Sequence, residues 1–148
     1  MPIQPMDIKE IKTKGFERVV HGYHEPSNLS MYIAIHTLKN GPAFGGIRYW
    51  DYKDNERPYY DVQKLAEAMT EKCMVAGIHL SGGKTVIQKS YYKEVGACGV
   101  EEKRIFPYLG QLINYLNGDY YGGLDVGFNY DMLQTLRRYT DYTTTYSD

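Results

Sequence analysis

The amino-acid sequence predicts an α/β domain in which helices pack on the faces of a mixed β-sheet. Two observations lead to this fold class: two β-rich runs open the chain as a hairpin, and helical and extended segments then alternate to its end. The length of 148 residues, with 43% hydrophobic and 24% charged residues, is typical of one globular domain. We therefore expect a single domain over residues 1–148, whose residues 1–15 form a flexible or interface arm.

The elements of the first half follow from their residue patterns. Residues 16–24 and 29–38 are rich in β-branched and aromatic residues, and the turn residues 25–28 between them predict a hairpin with a four-residue loop. A glycine-rich loop is expected over residues 39–46. From about Tyr60 to Ala76 the apolar residues recur at helical spacing, which predicts a long helix.

The second half is predicted to alternate short strands with two helices. Apolar periodicity indicates helices at about Glu101–Asn117 and Tyr130–Arg138. The opening hairpin makes the sheet mixed, because hairpin strands are antiparallel while strands linked by a helix are often parallel. The remaining strands are expected at residues 84–89, 120–126 and 142–145.

Charge and hydropathy exclude several classes of function. The 17 basic and 18 acidic residues nearly cancel, and no run of lysine and arginine is long enough to follow a phosphate backbone, so we expect no nucleic-acid partner. No apolar stretch approaches the roughly 20 residues that span a bilayer, and the N-terminus lacks the pattern of a signal peptide. We expect a cytoplasmic protein that does not bind membranes, and its near-neutral charge favours a homo-oligomer.

The cysteines and histidines are expected to have structural roles. Cys73 and Cys98 form neither a disulfide framework nor a metal motif, and small buried or half-buried side chains are the usual fate of such cysteines. His21 and His24 lack the i, i+4 spacing of helical metal ligands. The sequence therefore predicts no metal site.

Three glycine-rich segments are candidates for lining a ligand site, at residues 41–46, 81–84 and 122–127. Glycine permits close backbone approach, although each segment taken alone is more typical of a plain turn. Ser81-Gly-Gly-Lys84 lacks the spacing of a phosphate loop. No Gly-x-Gly-x-x-Gly occurs in the chain, so no dinucleotide site of its own is visible.

Three charged side chains lie beside these segments. Lys84 follows two glycines at the start of an apolar strand, where partial desolvation suits a lysine for acid–base work. Lys72 lies three residues after Met69 on the long helix, so both side chains share a face and are able to flank one pocket. Asp125 is either a general base or a capping carboxylate. For each lysine the alternative is a solvated surface amine.

From about residue 16 onward the chain resembles the N-terminal, substrate-binding and dimerisation domain of the glutamate/leucine/phenylalanine/valine dehydrogenases, most closely the leucine, phenylalanine and valine enzymes. Six motifs in the right order and with nearly the right spacing carry this resemblance. They are Ala34-Ile-His-Thr37, Gly41-Pro-Ala-Phe-Gly-Gly-Ile-Arg-Tyr-Trp50, Leu65-Ala-Glu-Ala-Met-Thr-Glu-Lys72, Ser81-Gly-Gly-Lys-Thr-Val-Ile87, Asp125-Val-Gly127 and Thr140-Asp-Tyr142.

The resemblance implies a role for each matching residue. Lys84 is implied to be the catalytic lysine that polarises the substrate carbonyl or imine, and Asp125 the carboxylate that transfers protons. Lys72 is implied to hold the substrate carboxylate with the backbone at Gly45 and Gly46. The implied pocket for the substrate side chain is lined by Phe44, Met69 and Thr144.

Several positions depart from the family pattern. Phe44 stands where leucine is usual, Glu71 and Cys73 flank Lys72 where tyrosine and asparagine are common, and Ser81 replaces the first of three glycines. Leu124 replaces a glutamate that commonly precedes the aspartate. This change is expected to make the surroundings of that aspartate less polar and to raise its pKa if the side chain is buried.

The family also has a Rossmann-type domain that binds NAD. The sequence ends at Tyr146-Ser147-Asp148, where the resemblance implies the hinge into that domain. We therefore expect no cofactor in this chain, with NAD used only if a second domain or subunit supplies its site, and we expect no redox activity from this chain alone.

Three functions remain open from the sequence. The first is a stand-alone enzyme that uses the Lys84 and Asp125 pair on an α-amino acid, a 2-oxo acid or a derived imine. The second is the substrate-binding half, as a fragment or subunit, of an NAD-dependent leucine/phenylalanine/valine-type dehydrogenase. The third is a non-catalytic oligomerising or binding module, with which the sixteen tyrosines are compatible, because tyrosine suits interfaces.

Overall fold

Six strands of the described residues form one mixed sheet: β1 (Asp7–Glu10), β2 (Arg18–His24), β3 (Leu29–Ile35), β4 (Ala43–Trp50), β5 (Ser81–Gln88) and β6 (Tyr120–Gly123). Their order across the sheet is β1-β2-β3-β5-β4-β6. The computed structural model describes residues 6–89 and 104–144. The pairs β1–β2, β2–β3 and β3–β5 are antiparallel, whereas β4 is parallel to both β5 and β6. The predicted mixed sheet is therefore confirmed.

Three helices of the described residues cover both faces of this sheet: α1 (Arg57–Val75), α2 (Ile105–Tyr115) and α3 (Tyr130–Leu136). Helix α1 packs on one face, where its Val62 and Ala66 are buried against Val19, Ala34 and Val86 of the strands. The larger core lies on the other face, beneath the two remaining helices, and contains the buried Leu109, Leu112, Leu133 and Leu136. No helix within the described residues is long and apolar enough to cross a membrane.

The opening hairpin and the long helix confirm the local predictions. Strands β2 and β3 pair in antiparallel register around a short 3₁₀ turn at Glu25–Ser27, and Asn28 closes this turn with a φ of 58°. Asparagine tolerates this left-handed conformation better than most residues. Helix α1 begins three residues earlier than predicted, at Arg57, and its end is followed by Gly77 with a φ of +74°.

The glycine-rich segments, each of which is by itself more typical of a plain turn, all contribute residues to strands. Residues 43–46, predicted as loop, begin β4, which the sequence patterns did not indicate. Strand β5 likewise begins at Ser81 and includes both glycines that precede Lys84. A Cβ atom at Gly82 would lie 2.4 Å from the carbonyl oxygen of Ala66 in α1. Glycine is therefore required here for helix packing, although glycine as a residue type is uncommon in strands.

The predicted elements towards the two ends of the chain also differ from those in the structure. Asp7–Glu10, predicted within the N-terminal arm, pair with β2 as an edge strand. Strand β6 ends at Gly123, because the chain then turns so that Asp125 bridges Phe128. The last predicted strand is reduced among the described residues to one bridge between Gly122 and Thr143. Helix α2 lies within the predicted helix, whereas Cys98, Glu101, Glu102 and Thr145 lie outside the described residues.

A row of aromatic rings lies on the sheet around His21. Its ring stacks on Tyr32, with 4.2 Å between ring centroids, and its Nε2 lies 2.8 Å from the Ser30 hydroxyl. Burial lowers the pKa of His21 from 6.5 to about 4, and the positive charge of Lys9 acts in the same direction. The histidine is therefore neutral in the folded protein at neutral pH, in agreement with a structural role.

The depressed pKa of His21 is expected to make the fold less stable in acid. Between pH 6.5 and 4 the unfolded chain binds a proton at this residue while the folded chain does not, so the free energy of unfolding falls as the pH falls. Because the ring is partly exposed, we expect a loss of about 1–2 kcal/mol over this range, measured by urea denaturation. His21→Gln should reduce this loss. The exposed His79 provides the matched control, and an equal effect of His79→Gln would contradict the assignment.

Candidate functional site

Lys84 and Asp125 form an ion pair on the α1 side of the sheet. The distance from Lys84 Nζ to Asp125 Oδ2 is 2.7 Å, and the side chains are 11% and 17% exposed. Lys84 belongs to β5, whereas Asp125 follows β6, and β4 lies between these two strands. The fold thus brings together the two residues that the sequence resemblance implied as a catalytic pair.

The charges around Asp125 keep its carboxylate ionised. Burial raises the pKa of Asp125. Hydrogen bonds from Lys84 and from the Val126 backbone N–H, together with the positive charges of Lys84 and Arg48, lower it by more than burial raises it. The net result is a pKa below the ordinary value. The expectation of a raised pKa, based on Leu124, was therefore wrong, because the cations that approach from β4 and β5 outweigh the effect of burial.

Arg48 is the main residue of this cluster that the sequence analysis did not identify. Its Nε lies 3.2 Å from Asp125 Oδ2, and its Nη1 lies 3.8 Å from Asp61 Oδ2 on α1. The Tyr52 hydroxyl donates a hydrogen bond to the same oxygen of Asp61. Residues i and i+2 of a strand share a face, so recognition of β4 as a strand would have placed Arg48 beside Gly46.

Gly46 supplies the surface on which the aspartate lies. A Cβ atom at Gly46 would be 2.4 Å from the carbonyl oxygen of Leu124 and 2.6 Å from the Cβ of Asp125. Any larger residue would therefore displace the segment that carries the carboxylate. Gly45 precedes it and approaches β5 even more closely, at the carbonyl oxygen of Gly83. Both glycines that the resemblance implied thus lie beside the ion pair.

Phe44 belongs to an aromatic group next to the same glycines. It pairs in register with Tyr121 of β6, and their rings stack with 5.2 Å between centroids. The ring of Tyr121 meets that of Tyr142 edge-on at 5.6 Å. Tyr121 was not among the predicted pocket residues. The pairing of β4 with β6, which places it there, joins segments about 75 residues apart.

Among the described residues, the other predicted site residues form neither an ion pair nor a side-chain hydrogen bond with Lys84 or Asp125. Lys72 is exposed in the last turn of α1, and within residues 6–89 and 104–144 it forms no ion pair. Met69 is half-buried on the same helix. Thr144 lies beside the end of β6, where its backbone N–H donates to the Gly122 carbonyl oxygen over 2.9 Å.

The described residues lack the usual features of a metal site and of a dinucleotide site. No group of three histidine, cysteine, aspartate or glutamate side chains in this part of the chain is placed to hold a metal ion. A dinucleotide pyrophosphate binds where a glycine-rich turn opens a helix. Here the clustered glycines lie within β4, β5 and β6, so these segments do not fit such a site.

Comparison with known proteins gives one consistent family. A family model described as the Glu/Leu/Phe/Val dehydrogenase dimerisation domain matches residues 6–140. Leucine dehydrogenase of Bacillus subtilis (strain 168) is 36% identical over 137 residues, which are 93% of this chain and 36% of that protein. Phenylalanine dehydrogenase of Lysinibacillus sphaericus is 34% identical over 131 residues, which are 88% and 33%. The chain thus spans about a third of the length of these relatives.

Solved structures agree with this result. L-tryptophan dehydrogenase from Nostoc punctiforme matches with a TM-score of 0.74 and 29% identity, over 87% of this chain and 36% of that one. A hetero-hexameric glutamate dehydrogenase from Thermus thermophilus matches with a TM-score of 0.60 over 90% of this chain and 29% of that one. At 18% identity the second likeness concerns the fold alone.

Proposed function

Since this chain belongs to the Glu/Leu/Phe/Val dehydrogenase family, within its dimerisation domain, we propose that it is the substrate-binding half of an amino-acid dehydrogenase. It binds an α-amino acid or the corresponding 2-oxo acid beside the Lys84–Asp125 pair. The observation that supports this proposal best is the 2.7 Å contact between these two side chains, next to the glycines of β4.

Lys84 and Asp125 carry out the acid–base part of the reaction. The ammonium group of Lys84 donates a hydrogen bond to the carbonyl oxygen of a 2-oxo acid and stabilises the negative charge that develops on it. Asp125 is ionised at neutral pH, because its pKa lies below the ordinary value, so it accepts a proton from an attacking water or from the substrate ammonium. Their direct contact also allows a proton to pass between them.

The remaining predicted residues bind and orient the substrate. Lys72 binds the carboxylate that every α-amino and 2-oxo acid carries, together with the backbone at Gly45 and Gly46. Phe44 and Thr144, with Met69, line the pocket for the substrate side chain. The aromatic group around Phe44 supports this assignment, because it presents apolar surface close to the glycines.

The redox step requires NAD, which supplies the hydride acceptor when it is bound. Because the glycine-rich strands do not fit a pyrophosphate site, we place the NAD site in a second domain or in a partner subunit. Reduction of NAD⁺ by the purified 148-residue chain with leucine or phenylalanine would contradict this placement.

A second candidate function is proton chemistry without a redox step. It is favoured by the fact that both members of the ion pair come from this one chain, so an acid and a base are present without another domain. The third candidate, an oligomerising module, is supported by the description of the matching family domain as a dimerisation domain. A tight oligomer in sedimentation that binds no 2-oxo acid would favour this third function over the others.

The proposed carboxylate contact is tested by ligand binding. We expect phenylpyruvate and 4-methyl-2-oxopentanoate to shift amide NMR signals of β4 and β5 in the purified chain, and we expect Lys72→Ala to weaken binding about tenfold, because a charged hydrogen bond is lost. Lys64→Ala is the matched control, since Lys64 is another exposed lysine on α1. Equal weakening by both variants, or no binding by the wild-type chain, would contradict the proposal.

A further inference from the structure

We propose that Arg48 is a positioning residue for the carboxylate of Asp125, which it holds against β4 and ties to helix α1 through Asp61. This inference rests on the proposed function, in which Asp125 transfers protons. It concerns a residue that contacts the proposed base and to which that function assigns no role. Arg48 acts through Asp125 and is not itself proposed to touch the substrate.

The contacts of Arg48 define this role. Its Nε meets Asp125 at the same Oδ2 atom that binds Lys84, at 3.2 Å and 2.7 Å respectively. The carboxylate is thus approached by one cation from β4 and by another from β5. A carboxylate held from two directions has less rotational freedom than one held by a single flexible lysine.

The far end of the guanidinium group links the cluster to α1. Arg48 Nη1 lies 3.8 Å from Asp61 Oδ2, and the Tyr52 hydroxyl donates to that same oxygen. Side chains of Arg48 and Asp61 are 25% and 24% exposed, so screening by solvent is only partial. Helix α1 also carries Met69 and Lys72, so this link connects the proposed base with the helix that is proposed to bind the substrate.

The chemistry of arginine explains why this residue type suits the position. A guanidinium group stays protonated at every pH at which a protein is folded, whereas a lysine that takes part in proton transfer changes its charge during the reaction. Arg48 therefore keeps one positive charge beside Asp125 even when Lys84 has given up a proton. The carboxylate remains a usable base throughout the reaction.

The test measures the pKa of Asp125 directly in the ligand-free chain. The side-chain carboxyl signal is followed by ¹³C NMR against pH and assigned with Asp125→Asn. The charged groups that face this carboxylate are Lys84 from β5 and Arg48 from β4, and the charge of Asp125 in turn raises the pKa of the buried Tyr120 of β6. We expect Arg48→Met to raise the pKa of Asp125 by about 1, and Arg48→Lys, which retains the charge, to restore most of the difference.

Arg57→Met is the matched control, because Arg57 lines the same surface cleft as Arg48 and is exposed at the start of α1. It should leave the pKa of Asp125 unchanged. If Arg48→Met does not fold, Arg48→Gln, which keeps a donor but no charge, takes its place.

An unchanged pKa of Asp125 in a folded Arg48 variant without the charge overturns the proposal, whether or not the chain binds a 2-oxo acid. An equal shift in Arg57→Met overturns it as well, because the effect would then be one of general charge. A shift specific to Arg48 in a chain that binds no 2-oxo acid supports the link to Asp125 and overturns only the proposed function.

Discussion

Gly45→Ala is expected to disrupt the parallel pairing of β4 with β5 and to lower the free energy of unfolding strongly at neutral pH. A Cβ atom at this position would lie 1.6 Å from the carbonyl oxygen and 2.5 Å from the carbonyl carbon of Gly83. Both are backbone atoms, so no side-chain rotation relieves the overlap. We expect a loss of at least about 4 kcal/mol, a large share of the roughly 5–15 kcal/mol by which a domain is usually stable.

Circular dichroism and urea denaturation measure this effect, and Gly41→Ala separates it from the general consequences of replacing glycine. A Cβ at Gly41 meets no atom within 4 Å, although its φ of +100° disfavours alanine. That variant should lose only about 1 kcal/mol. A Gly45→Ala protein with the wild-type urea midpoint would mean that β4 and β5 are not paired as described.

Replacement of either member of the ion pair is expected to abolish proton transfer to and from a bound 2-oxo acid. If the proposed acid–base role is correct, the chain accelerates deuterium exchange at C3 of 4-methyl-2-oxopentanoate in D₂O, which NMR measures directly. We expect Lys84→Met and Asp125→Asn each to reduce this rate at least about 10²-fold. The double variant should be little worse than either single one, because the two groups act as a unit.

The pH dependence of the exchange follows from the pKa of Asp125. Because that pKa lies below the ordinary value near 4, the base is ionised throughout the neutral range, and the rate should fall on the acid side only below about pH 4. Lys64→Met is the control for loss of a lysine, since Lys64 is exposed on α1. Exchange that persists in Lys84→Met at the wild-type rate would exclude the role assigned to Lys84.

Local patterns in the sequence predicted the elements that are formed by residues close together in the chain. The β2–β3 hairpin was predicted from its turn residues. Helix α1 was predicted from the spacing of its apolar side chains, which depends only on the geometry of a single helix. Lys84 and Asp125 were selected individually by the family motifs around them. Nothing in their separation of 41 residues indicated a 2.7 Å contact.

Strand β4 could be recognised as a strand only from the tertiary structure. Its segment contains Gly45 and Gly46, which favour loops as residue types, yet both are needed because neighbouring backbone lies where their side chains would be. The position of Arg48 beside Asp125 follows from β4, and so does the stacking of Phe44 on Tyr121. The lowered pKa of Asp125 likewise results from cations on two other strands.

The sequence alone therefore determined the family, the mixed α/β fold class and most of the candidate site residues, since these depend on residue identity, periodicity and motif order. The assembly of those residues into a charged cluster was decided by the strand order β5-β4-β6, which places Lys84 and Asp125 on opposite sides of one glycine-bearing strand. Residue spacing along the chain does not encode strand order, because order results from packing between segments that are far apart in sequence.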